Sequence, residues 1–157
     1  MSKYDELCKA LSDHNEASRD YWQTLQMQAA QIAAGLWKYL EYPSQSYAGH
    51  AGEGFLPYIL LTRPGEEKGC QFLDLPSKDG AIQFDVIITV EVQQNQFPKT
   101  RLRYSFNIGK SGQVLKVWDA TGNITAEFPV ENPDFEYLYE QIFLAIRTWL
   151  KARPSMQ

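Results

Sequence analysis

Apolar residues recur at helical spacing through the first forty positions. Trp22, Leu25, Ala29, Ile32, Leu36 and Tyr39 follow one another at intervals of 3, 4, 3, 4 and 3, which places them on one face of a helix. A second stripe runs beside them through Met27, Ala30, Ala34 and Trp37. Leu7 and Leu11 extend the first stripe loosely, and Ser12 or Asp13 could cap a fresh start, so a break is expected near residues 11–14. Pro43 closes the helix, because a proline pushes the preceding residue out of the α region. From Asp13 to Glu41 the helix would measure roughly 43 Å at ~1.5 Å per residue. A domain of this size has a radius of gyration of about 15 Å. The helix therefore crosses the whole molecule or projects from it.

The period then changes from helical to two. Ile82, Phe84, Val86, Ile88, Val90 and Val92 alternate with Gln83, Asp85, Thr89 and Glu91, with Ile87 as the apolar exception on the polar side. The segment from Arg101 to Ile108 repeats the pattern, with Leu102, Tyr104, Phe106 and Ile108 facing in. The stretch QNQFP loops between the two, and GKSG and ATGN are turn signals around two further strands. Upstream, Phe55–Leu61 reads as a strand whose Pro57 puts it at an edge or a bulge. Cys70–Leu75 reads as a short strand between two turns.

Near the C-terminus Asn132 is placed to cap a helix and Pro133 to occupy its first position. Phe135, Leu138, Ile142, Ala145, Ile146 and Trp149 would form its buried face, and Pro154 stops it. The expected fold is α+β: an antiparallel meander of four to six strands, with a long N-terminal and a C-terminal helix packed on one face. Residues 1–157 form one domain: a helical region at 1–42, a glycine-rich loop at 43–54, the sheet at 55–128 and the last helix at 132–152.

Composition narrows the function classes. The net charge of -4 does not favour nucleic acid or an anionic membrane in bulk. Cys8 and Cys70 fit neither a zinc pattern nor a disulfide framework, which suggests free thiols in a reducing cytoplasm. The polar N-terminus has no signal-peptide core, and no run approaches the ~18 apolar residues of a membrane span.

Four constellations are candidates for chemistry. The stretch YAGHAGEGFLPY, Tyr47–Tyr58, sets His50 and Glu53 among three glycines. A phosphate loop needs a helix N-terminus after it, and a proline-marked strand follows here instead. Metal ligands are scarce, since His14 is the only other histidine. The plainer reading is a mobile connection from helix to sheet. Nucleophilic catalysis has no elbow motif to draw on, and Ser46 near His50 is not a triad. Asp74, Asp79 and Asp85 are expected to be ordinarily solvated.

Lys99, Arg101 and Arg103 alternate on one strand face and could grip phosphates with Lys110 and Lys116. Cross-strand pairing competes with this: a turn near Gln96 sets Glu91 opposite Arg101 and Thr89 opposite Arg103.

Aromatic residues make up 13% of the chain, more than one core needs when the long helix carries two apolar stripes. Met27, Ala30, Trp37, Tyr39, Tyr42 and Tyr47 are therefore candidates for a protein interface, unless the C-terminal helix covers the second stripe. The leading expectation is a non-enzymatic protein-binding domain without cofactor or metal: a subunit, adaptor, chaperone or immunity-type inhibitor. Its partner is another protein, or a second copy through the long helix. The alternative is a nucleic-acid accessory protein using Lys99–Arg103; the third is a ligand pocket or enzyme near His50 and Glu53.

Overall fold

Ser2 starts a single unbroken helix, α1 (Lys3–Tyr39), about 55 Å long at ~1.5 Å per residue. The computed structural model describes residues 2–49, 53–93 and 99–152. A capping box fixes the start of α1: Ser2 Oγ accepts from Asp5 N at 3.1 Å and Asp5 Oδ2 accepts from Ser2 N at 3.2 Å. The break expected near residues 11–14 does not occur. No proline interrupts the run, and Ser2 supplies the cap that Ser12 or Asp13 was expected to give. The helix ends before Pro43, at Leu40, and Glu41 turns the chain away with a φ of 56°.

Eight strands follow: β1 (Ser46–Ala48), β2 (Phe55–Pro57), β3 (Ile59–Thr62), β4 (Ser77–Lys78), β5 (Ala81–Glu91), β6 (Lys99–Ser111), β7 (Val114–Asp119) and β8 (Thr125–Pro129). The main sheet is antiparallel in the order β3-β5-β6-β7-β8, with β4 also paired to β5, and β1 and β2 form a separate ribbon. The expected meander is β5 to β8. Phe55–Leu61 is not one strand: it divides at Tyr58, so β2 pairs with β1 while β3 joins the main sheet. The expected strand at Cys70–Leu75 is instead a 3-10 turn, Phe72–Asp74. Buried Gln26 of α1 holds it there, donating Nε2 to the carbonyls of Leu73 and Leu75 at 3.2 and 3.0 Å.

Both helices cover one face of the sheet. Leu25, Ala29, Ile32 and Leu36 of α1 share one core with Phe84, Val86 and Ile88 of β5, Phe106 and Ile108 of β6, and Leu115 and Val117 of β7. The second helix, α2 (Glu136–Lys151), adds Leu138, Tyr139, Ile142 and Ile146. Each such side chain, fully buried, contributes about 1.5–3 kcal/mol. The helices touch where Gly35 admits the ring of Tyr139: a Cβ at Gly35 would lie 2.1 Å from the Tyr139 hydroxyl.

Three expectations for α2 are corrected. Asn132 does not cap it and Pro133 is not its first residue, since the helix begins at Glu136; Asn132 adopts a φ of 50°, and Asp134 Oδ1 accepts from Glu136 N at 3.0 Å. Trp149 is not in the buried face but 57% exposed, because the last turn of α2 is open to solvent on every side.

The other face of the sheet is not bare either. Asp85, Ile87 and Thr89 are only 2%, 3% and 1% exposed. Tyr42 and the loop 63–69 reach over them, so the solvation expected for Asp85 is replaced by protein contacts.

Candidate docking groove

Where α1 ends, the sheet end and α2 leave an apolar groove of about 500 Å³. Leu40, Glu41, Tyr42 and Pro43 line it after α1, Ile88, Val90 and Glu91 at the end of β5, and Phe143, Ile146, Arg147, Leu150 and Lys151 along α2. Phe143 and Leu150 are seven residues apart, on the flank of α2 beside its buried Ile142–Ile146 face, and are 41% and 48% exposed. Arg147 and Lys151 stand beside them, one turn apart and exposed, and neither makes an ion pair among the described residues. The lining is mostly apolar, with the cations Arg147 and Lys151 and the acids Glu41 and Glu91 among it.

On the far side of β5 the tyrosines form a closed cluster. Tyr42 stacks on Tyr58 at 4.6 Å between centroids, and Tyr47 meets Tyr58 at 5.0 Å. Tyr42 donates to the Thr89 carbonyl at 2.7 Å and Tyr58 donates to Glu91 Oε1 at 2.6 Å. Glu91 is ion-paired with Lys99, whose ammonium sits 4.9 Å from the Tyr47 ring centre. Burial, with the negative charge of Glu91 nearby, pushes the Tyr58 phenol up to about 12 and the Tyr42 phenol higher still. Both are neutral donors at physiological pH, tying Tyr42 and Tyr58 to the end of β5.

The candidate interface residues do not converge. Tyr42 lines the groove and belongs to the cluster. Tyr47, 4% exposed, has no surface to offer a partner. Tyr39 packs on Tyr139 at 5.6 Å. Trp37 donates Nε1 to the Ser44 carbonyl at 2.9 Å and, with Ala33, Ala34, Pro57 and Ile59, lines a separate hollow. Met27, 46% exposed, and half-buried Ala30 lie along that same stripe. α2 does not cover the second stripe; it packs where Gln31, Gly35 and Tyr39 face Tyr139.

The basic strand is largely internal. The hairpin register sets Glu91 opposite Lys99 and Thr89 opposite Arg101, two residues from the expected pairing but on the same face. Arg103 reaches Asp85 and Thr62 with Nη1 and the Glu66 carbonyl with Nη2, at 2.6 Å for the last, and pairs with Glu67. Although burial opposes its charge, Asp85 and Glu67 raise the Arg103 pKa further. The Asp85 carboxylate also accepts from Gly65 N at 3.0 Å, so the pair pins the 63–69 loop. Arg101 approaches Glu67 at 3.6 Å. Lys116 is elsewhere, 5.7 Å from the Trp118 ring centre, and Lys110 alternates to the opposite sheet face.

His50 lies outside the described residues. Glu53 stands at the base of the β1–β2 ribbon, where Gly49 N donates to the Gly54 carbonyl at 2.8 Å, so residues 46–48 are strand and not a free tether. Among the described residues no three His, Cys, Asp or Glu side chains are grouped to hold a metal. No helix among them is long and apolar enough to cross a membrane.

Sequence reasoning missed the groove; of its two expectations for the long helix, crossing the molecule or projecting from it, the first half of α1 projects. Residues Lys3–Asp20 stand clear of the body as an arm about 27 Å long at ~1.5 Å per residue. Its Tyr4, Leu7 and Leu11 are 74%, 69% and 61% exposed. The loose stripe at Leu7 and Leu11 signalled a helix, and its length against the size of the domain allowed it to project. Compared with known protein families, curated proteins and solved structures, the chain matches none.

Proposed function

We infer that this protein is a non-enzymatic protein-binding module, a subunit or adaptor that docks an amphipathic helix in the groove between the exit of α1, the end of β5 and α2. The groove carries this reading: Phe143 and Leu150 are exposed beside an apolar floor, and Arg147 and Lys151 are unspent on its lip. Helix-in-groove recognition uses such anchors at helical spacing, with charges at the rim setting orientation. The tyrosine cluster serves the site indirectly, because it fixes Tyr42 and Pro43 as one wall.

Nucleic-acid binding through Lys99–Arg103 has less support, since Lys99 and Arg103 are committed to Glu91, Asp85 and Glu67. The test is a comparison of proteins retained by the full chain and by Phe143→Asp/Leu150→Asp in the native cell. A specific partner should be lost from the groove variant and kept by Met27→Asp. Equal retention by all three chains would remove the groove from the function.

A further inference from the structure

β7 is shorter than the strand it pairs with. It runs beside residues 106–111 of β6, so residues 99–105 of β6 have β5 on one side and no strand on the other. The backbone alternation continues through that stretch. Ala120 N donates to the Ser105 carbonyl at 2.9 Å, so odd-numbered residues of β6 turn their N–H and C=O groups away from β5. Arg103 and Arg101 are the next two. Among the described residues no backbone group pairs with theirs on that side, and Thr100 and Arg101 are exposed. An open edge of this kind is a template for an added strand.

We propose that this edge of β6 binds an extended segment of another protein, added antiparallel beside Thr100–Arg103, in which acidic and apolar residues alternate. The surface is distinct from the groove, none of whose lining residues belongs to β6. Residues of the added strand opposite Arg101 and Arg103 share the outer face with them. Arg101 has charge to offer there. Its ion pair with Glu67 spans 3.6 Å between two exposed side chains, and such a pair is worth only about 0–1 kcal/mol. A residue between the two acids faces inward with Leu102. Beside it, where β7 leaves β6, a hollow of about 310 Å³ has Tyr104, Ile124 and Ala145 in its wall. The Asp119 carboxylate in the same wall is already taken, since it accepts from Thr121 Oγ1 at 2.6 Å and Ile124 N at 3.0 Å.

A second copy of this chain does not fit the edge. Any two-fold pairing of β6 with itself centred on Arg101, Leu102 or Arg103 sets arginine opposite arginine, and like charges directly opposite destabilise a strand pair. The same two side chains thus oppose self-pairing and select an acidic strand.

The test is a nuclear magnetic resonance titration of the full chain with a capped hexapeptide that alternates glutamate and valine. The amide signals of Arg101 and Arg103 should move, and their hydrogen exchange should slow by more than about tenfold at saturation. A peptide with lysine in place of glutamate should bind more than about tenfold more weakly. Arg101→Ala removes the charge and keeps the N–H. Arg101→Pro removes both, and spares the bonds to β5 because that N–H points to the open side. Both should weaken binding, the proline variant further. Phe143→Asp/Leu150→Asp should bind the peptide as the wild type does, so failure of this proposal leaves the groove reading standing. Unmoved Arg101 and Arg103 amides, equal binding of the lysine peptide, or equal affinity of Arg101→Ala and Arg101→Pro would overturn it.

Discussion

Arg103 and Asp85 are the pair on which a single substitution should tell most. Asp85 is 2% exposed and its carboxylate is shared by the Arg103 guanidinium and Gly65 N. Removing Arg103 leaves that charge buried and half-compensated, so Arg103→Ala should cost about 3 kcal/mol in urea unfolding. Arg101→Ala, two residues away with a solvent-exposed partner, should cost less than about 0.5 kcal/mol.

Tyr58 gives a pH signature. Its folded pKa of about 12 lies above the unfolded value of about 10. Its contribution is therefore complete below pH 10 and lost as pH rises through 12. Stability of the wild type should decline over that window, and Tyr58→Phe should make the decline shallower while costing about 1.5–3 kcal/mol at neutral pH. The sequence showed the alternation of Lys99, Arg101 and Arg103 and the presence of opposing acids. It could not show that Asp85 and Glu67 would be the ones to claim Arg103, because Glu67 comes from a loop whose path no periodicity records.

At the scale of elements, α1 and α2 pose different problems. The core half of α1 is stabilised by burial, and the arm rests on its cap and on helix propensity alone. Ser2→Ala removes about 1 kcal/mol of capping. In dilute protein it should lower the helical circular dichroism signal while shifting the unfolding free energy of the body by less than about 0.5 kcal/mol.

Gly35 is the opposite case. In an open helix position Gly→Ala would stabilise by about 1 kcal/mol. Here the new methyl meets the Tyr139 ring, so Gly35→Ala should destabilise by about 1–3 kcal/mol, and Tyr139→Leu should rescue part of that loss. The elements themselves were legible, since the 3, 4 spacing of α1 and the alternation of β5 and β6 are direct signatures of burial on one side. Boundaries were less so. Tyr58 divides an apolar run because its own ring is needed beneath Tyr42, and Trp149 overhangs because α2 is longer than the surface it covers.

At the scale of the whole molecule, one end is closed and one is open. Polar and aromatic contacts seal the outer face of β5, while the end of the sheet beside α2 keeps Phe143 and Leu150 in solvent. Apolar periodicity marks what can be buried, and only the packing decides what is left over. For that reason the aromatic surplus was visible in the sequence while its place was not: Tyr47 and Tyr42 went largely into the fold, and Phe143, Leu150 and the arm stayed outside it.

The central claim is that the groove accepts an amphipathic helix. Its most direct test is the retention comparison between the wild-type chain, Phe143→Asp/Leu150→Asp and Met27→Asp. A specific partner that presents an amphipathic helix should be held by the wild type and by Met27→Asp and lost from the double groove variant. Equal retention by all three chains would contradict it.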